Sequence, residues 1–253
     1  MPRRHRALWS SATSAVIIAV LLALIHVETS TAHPKAGDVA TTTSGYGSGT
    51  LGPWQAHAKV ISSAAHIRHV VATDGVVLFG DSIAVQDGAA LGRLLALRTG
   101  AALAEHSWSG EPTSAAVDAL AVWAREFGLP HRIVMAVGSN DIFDPAAFTA
   151  QVDRAMRIAG PRRAVYWVNV QVSRTDESDP IQVADQRNSE WINLQLAQAQ
   201  QRYPNLRIVH WAEYLAARPS RLHTLLRDGR HTTVPAGQTA RNTLIVQAIQ
   251  GPV

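Results

Sequence analysis

The 253-residue sequence contains no cysteine. That absence removes disulfides, a thiolate nucleophile, thiolate metal sites and a lipid-bearing N-terminal Cys from consideration. Also missing, after residue 10, is any run of lysine or arginine interleaved with aromatics, so no nucleic-acid partner is expected. The formal net charge is +4, and three arginines (Arg3, Arg4, Arg6) against one glutamate (Glu28) account for much of it near the N-terminus. The remainder is nearly balanced, and the high pI reflects arginine usage rather than a basic face. There is no Gly-x-Gly-x-x-Gly, no phosphate-loop sequence and no internal repeat. What is present is apolar bulk. At 47% apolar residues, a chain of this length can bury one sizeable core, or at most two small ones.

Residues 1–32 have the pattern of an export signal. A positive stretch (Arg3, Arg4, His5, Arg6) precedes an uninterrupted apolar run over 15–25, and Ser30-Thr31-Ala32 offers small residues for cleavage after Ala32. The rival reading is an uncleaved membrane anchor, the only membrane contact the sequence suggests. Either way the rest of the chain is expected outside the cytoplasm. Residues 33–53 are rich in Thr, Ser and Gly, which reads as a flexible linker. The folded domain is expected over 54–253, opening with a helical stretch over 54–67. His66 and His69 stand three apart there, but no third ligand is suggested, so no metal is expected.

From there strands and helices alternate. Strands are expected over 76–79, 101–105, 132–137, 164–170 and 206–209, and helices over 84–98, 113–127, 146–158, 185–202 and 236–249. Asp144 before Pro145 reads as an N-cap with proline at the first helical position. Repetition of strand, helix, strand implies an α/β fold with a mostly parallel sheet, right-handed crossovers and helices on both faces.

The chain is organised around Val76-Val77-Leu78-Phe79-Gly80-Asp81-Ser82. A short apolar run into a glycine, a carboxylate and a serine reads as a buried strand ending in a tight turn that presents one hydroxyl. In open α/β sheets ligands bind just outside the carboxyl ends of the strands. Taken alone, Ser82 reads as a helix N-cap. Gly110 follows the second strand, Gly138-Ser139-Asn140-Asp141 follows the third, and Asp228-Gly229-Arg230-His231 precedes the last helix. Each has a bland reading: an ordinary turn glycine, a left-handed turn asparagine followed by a loop cap, and a surface turn. Together four segments converge on one crevice.

Gly80-Asp81-Ser82, then Gly110, then Gly138-x-Asn140-Asp141, then Asp228-x-x-His231 resembles, in order, the four blocks of the SGNH hydrolases, also called the GDSL esterase and lipase family. The resemblance covers residues 76–250, with Ile83 where many members have Leu. It implies a flavodoxin-like three-layer α/β/α sandwich with esterase or acyltransferase activity on an acyl-ester substrate and no cofactor. Ser82 would be the nucleophile, His231 its base, and Asp228 the carboxylate that fixes the imidazole tautomer. The Ser82 N–H, the Gly110 N–H and the Asn140 amide would form the oxyanion hole. Asp81 is expected to bond backbone around its turn. Val165-Tyr166-Trp167-Val168-Asn169-Val170, Trp191-x-Asn193 and Val209-His210-Trp211 are similar to the extracytoplasmic SGNH domains of envelope-sugar O-acyltransferases. That makes an envelope glycan or lipid the candidate substrate. Trp167 is expected in the core, and Trp108 beside the substrate as a stacking surface for sugar or acyl chain. A non-catalytic carbohydrate-binding module on the same fold is the alternative of another class, and acyl length, acceptor and oligomeric state are not encoded legibly.

Overall fold

The computed structural model describes residues 45–251. The expected export segment, with the first part of the Thr/Ser/Gly stretch, lies outside the described residues. The chain runs through β1 (Lys59–Ile61), α1 (Ala64–Ala72), β2 (Val76–Gly80), α2 (Ser82–Thr99), β3 (Leu103–Trp108), α3 (Thr113–Glu126) and β4 (Arg132–Ala136). Two 3-10 turns, Asp141–Phe143 and Pro145–Ala147, lead into α4 (Phe148–Ala159), β5 (Ala164–Val168), α5 (Asp179–Arg202), β6 (Leu206–Val209), α6 (Trp211–Ala216), α7 (Leu222–Leu225) and α8 (Ala236–Gln250).

The sheet order is β1-β3-β2-β4-β5-β6, with every pairing parallel except β1 against β3. Strand order reverses at β2, so the switch point of the sheet falls between β2 and β4. All five residues of β2 are buried, and a Val, Leu or Phe side chain so placed is worth about 1.5–3 kcal/mol. That is why this run sits at the centre. Side chains alternate between two cores. Val77, Phe79, Ile133, Met135, Val165 and Trp167 face a layer built by α1, α3, α4 and α5. Val76, Leu78, Val134, Ala136, Tyr166 and Val168 face α2, α6 and α8. The architecture is the three-layer α/β/α sandwich that the strand and helix pattern implies.

The N-terminal end departs from expectation. Residues 59–61 form an exposed edge strand paired with β3, Lys59 opposite Trp108 and Ile61 opposite His106. Helix α1 begins only at Ala64, where the Ser63 hydroxyl accepts the His66 N–H. Three exposed residues carry no periodicity of their own, and only the partner strand makes them a strand. The His66 Nε2 lies 2.8 Å from the Leu103 carbonyl, which ties α1 to β3. The end of the expected linker is docked: Ser48 is buried, its hydroxyl 2.9 Å from Asn188 Nδ2, while Arg174 and Arg187 donate to the Ser48 and Tyr46 carbonyls. Asp144 makes no side-chain cap, and Pro145 opens a 3-10 turn, with α4 starting at Phe148.

Candidate active site

Parallel pairing aligns Gly80 with Ser107 on one side and Ala136 on the other. The residues just beyond, Ser82, Gly110 and Asn140, therefore emerge at one sheet edge. Asp81 is the N-cap of α2, its Oδ1 accepting the Ile83 N–H at 3.0 Å while Oδ2 accepts from the Ser139 hydroxyl. The cap role that Ser82 would take in isolation thus belongs to Asp81, as the expected backbone bond requires. Ser82 becomes the first helical residue with its hydroxyl free to point outward.

The other half arrives on the loop between α7 and α8. His231 Nδ1 lies 2.7 Å from Asp228 Oδ2, and His231 Nε2 lies 2.8 Å from Ser82 Oγ. Asp228 also accepts the backbone N–H groups of Arg230 and His231 through Oδ1, at 3.1 and 2.7 Å. Burial by itself would raise the Asp228 carboxyl, but the His231 N–H, the His231 ring and the Arg230 N–H outweigh it and hold it at about 2. It remains an anion wherever an imidazole titrates. An acceptor on Nδ1 selects the tautomer with its proton there, leaving Nε2 to accept from the Ser82 hydroxyl. Gly229 has φ +76°, and a Cβ on it would meet the Ser173 carbonyl at 1.8 Å, so only glycine permits the turn from Asp228 to His231 to nest there.

Neither the Ser82 nor the Gly110 backbone N–H finds an acceptor among the described residues. Gly110 has φ +81°, and a Cβ would stand 2.8 Å from the Trp54 Cβ; its freedom is what lets the 109–111 loop turn beneath residue 54. Asn140 is buried, and its Nδ2 donates to the Glu111 carbonyl at 3.1 Å. One amide hydrogen thus pins the Gly110 loop, and the other remains for an oxyanion. Asp141 has a larger job than capping its own loop. Its Oδ2 accepts the Thr113 N–H and hydroxyl at 3.0 and 2.7 Å, supplying the cap that Pro112 cannot give α3. Burial pushes the Asp141 carboxyl up to about 7 despite those bonds.

A cleft of about 440 Å³ opens over the serine, lined by His57, Ser82, Val85, Gln86, Ser109, Gly110, Arg227, Arg230 and His231. Trp108, expected as a stacking surface, does not line it. Its indole N–H donates to the His57 carbonyl at 3.1 Å, Trp54 packs against it edge to face, and the Lys59 ammonium sits 4.2 Å over its ring. Trp108 supports the wall that His57 forms, with Lys59 over its ring and Trp54 packed against it. Trp167 is fully buried as expected. The residues that sequence reasoning missed are His57, Val85, Gln86, Arg227 and Arg230. Gln86 is four residues after Ser82 on α2, on the same helix face, which is a signal that was available; His57 is brought in only by the β1 pairing.

Behind the base lies a buried network. The Thr232 hydroxyl donates to Asp87, 2.9 Å from its Oδ2, and accepts from Gln86 Nε2 at 2.7 Å. Gln86 and Gln238 also donate to Asp87 Oδ1, at 3.0 and 3.2 Å. Arg241, wholly buried, faces the fields of both Asp81 and Asp87; desolvation lowers its pKa, and these two carboxylates oppose the drop.

No protein-family model matches the chain, and no curated protein sequence does. Solved structures do. A GDSL-like lipase from Bacteroides thetaiotaomicron superposes with a TM-score of 0.58 at 16% identity, covering 71% of this chain and 90% of that one. The C-terminal catalytic domain of peptidoglycan O-acetyltransferase A from Streptococcus pneumoniae gives 0.51 at 18% identity, over 70% of this chain and 90% of that one. A member of the lipolytic G-D-S-L family from Veillonella parvula gives 0.51 at 15%, over 69% and 94%. At such identities the likeness is one of fold, and the fold is the one shared by SGNH hydrolases and that acetyltransferase domain.

Proposed function

We propose that the protein is an exported serine esterase that acts on O-acyl esters of polar alcohols through an acyl-enzyme. The observation that carries this is the His231 ring placed between Ser82 Oγ at 2.8 Å and Asp228 Oδ2 at 2.7 Å. Ser82 Oγ attacks the ester carbonyl as His231 Nε2 takes its proton, and the imidazolium is stabilised by Asp228. The tetrahedral oxyanion is met by the Ser82 and Gly110 N–H groups and the second Asn140 amide hydrogen. On collapse the C–O bond breaks and His231 gives its proton to the departing alcohol. Water then attacks the acyl-Ser82 ester, its proton passing to His231 and back to Ser82.

A second reading, an O-acyltransferase or deacetylase of envelope carbohydrate, differs only in which hydroxyl compounds enter or leave. The Gln86 amide and the Arg227 and Arg230 guanidinium groups among the lining of the cleft suit a hydroxyl-rich alcohol or acceptor. Export rests on the pattern of residues 1–32. Among the described residues no helix is long and apolar enough to cross a membrane.

The test is a fluorophosphonate probe together with turnover of aryl acetates, with and without a glycan acceptor. Stoichiometric labelling at Ser82, absent in Ser82→Ala, with acetate release is the expected result. Acetyl glycan formed in place of acetate would establish transfer. An unlabelled Ser82 with no turnover would leave the binding-module alternative and sink the enzyme reading.

A further inference from the structure

The cleft carries one sign of charge. Arg227 and Arg230 line it together with His231 and the wall formed by His57, and no carboxylate lines it. The Lys59 ammonium lies over Trp108, whose indole holds the His57 carbonyl, so a further cation stands behind that wall. Asp228 is committed to His231, and the Arg227 Nε reaches it only at 3.6 Å. The Arg230 side chain has one polar contact among the described residues, its Nε 3.5 Å from His231 Nδ1. Neither guanidinium places a terminal nitrogen on an acceptor among those residues. Some arginines outside the cleft are paired, Arg174 with Asp185, Arg202 with Asp153 and Arg154 with Asp118, while others on the surface, such as Arg93 and Arg157, are not paired among the described residues. A chain with nearly balanced charge has thus left two arginine forks open at its catalytic cleft. Such a cleft focuses a positive potential on whatever enters, and the fork matches the two oxygens of a carboxylate or phosphate.

The position of the arginines says which part of the substrate they meet. The group that protonates the leaving alcohol must stand beside the ester oxygen, and here that group is His231. The acyl oxygen lies on the other side, toward the Ser82 and Gly110 N–H groups. Arg230 directly precedes His231, Arg227 directly precedes Asp228, and both arginines line the cleft together with His231, so they border the alcohol and not the acyl chain.

The geometry points to a substrate whose alcohol portion carries an anionic group, a carboxylate or a phosphate, held by Arg227 and Arg230. This rests on the esterase reading above and goes beyond it by naming the substrate class. It also gives a reason for the two residues between and beside the Asp228 and His231 positions: Arg227 and Arg230 select the alcohol that His231 protonates.

The test compares 4-acetoxyphenylacetate with 4-acetoxyphenylacetamide, in which a methylene insulates the phenolic oxygen from the charge. The wild-type enzyme should favour the carboxylate in kcat/KM by roughly tenfold at low salt, and the preference should shrink as salt screens it. The preference should fall to near one in Arg227→Gln/Arg230→Gln and return in part in Arg227→Lys/Arg230→Lys, which restores charge without the fork. The same pair with a phosphate in place of the carboxylate decides which anion the fork fits better. Equal kcat/KM for the two acetyl esters, or a preference that survives both salt and the double glutamine variant, overturns the proposal while leaving the esterase reading standing. No turnover of either ester, with Ser82 unlabelled by fluorophosphonate, overturns the esterase reading and this one with it.

Discussion

Ser82 and His231 meet at 2.8 Å but are held there by unlike parts of the molecule. Ser82 is positioned by the sheet. It follows the most deeply buried strand, and Asp81 fixes the turn through one bond to the Ile83 N–H and another to the Ser139 hydroxyl after β4. His231 is positioned by a loop. Its loop joins one turn of helix to α8, and it is held by Asp228 in front, by the Thr232 bond to Asp87 behind, and by the Arg227 N–H on the His231 carbonyl at 2.9 Å. The contrast teaches why the two ends respond differently to mutation. A sheet-borne serine cannot move without the core, whereas a loop-borne histidine can move by the loss of one hydroxyl.

The largest effect should come from breaking the contact itself. Ser82→Ala, His231→Ala and the double variant should each lose activity on the order of 10⁵-fold or more, with the double no slower than the worse single. Rates on one soluble aryl ester, taken after circular dichroism shows each variant folded, decide it. Additive losses would mean that the two residues do not act as one unit.

On the sheet side the next effect is electrostatic. Asn140→Ala should lower kcat by ~10²–10³ with KM nearly unchanged, since the oxyanion exists only after attack. Because Asn140 also holds the Glu111 carbonyl, a loss that fell wholly in KM would show that it shapes the Gly110 loop for binding and nothing more.

The smallest effect should appear on the loop side, one residue past the base. Thr232→Val removes a donor from the buried Asp87 carboxylate, which should destabilise the fold by about 1–3 kcal/mol in urea unfolding. It should also reduce kcat by roughly tenfold through a shifted imidazole. A fully active variant with the stability loss alone would show that Asp228 and the Arg227 N–H suffice to place His231, and the contrast between the two sides would weaken accordingly.

The two sides were also unequally legible in the sequence. β2, β4, β5 and β6 are apolar runs with little freedom to be anything else, and α3 and α8 fall within two residues of the expected bounds. β3 is displaced, running over Leu103–Trp108 rather than 101–105, because its polar Glu105, His106 and Ser107 conceal it. Those side chains become a strand only between β1 and β2, where burial pushes Glu105 up to about 7. α5 begins at Asp179 rather than 185, since its first turns carry few apolar residues and are secured by contacts distant in sequence, such as that of Asp185 with Arg174. Trp108 illustrates the limit most plainly. An aromatic two residues from Gly110 is a reasonable candidate for touching substrate, but whether its faces are open depends on Trp54 and Lys59, which an edge strand brings from fifty residues away.

By itself the sequence determined the layer architecture and the mostly parallel sheet, and it singled out Ser82, Asp228 and His231 as candidates. The first two depend on local apolar pattern, and the third on residue types in an order along the chain that resembles a known family. Only the tertiary structure decided the charge and polarity of the cleft, the exclusion of Trp108 from it, the second use of Asn140 on the Glu111 carbonyl and the brace from Asp87 to Thr232. Each of those is a contact between segments whose separation along the chain leaves no periodic trace, made specific by burial, where an unmet donor or an unpaired charge costs far more than it does in water.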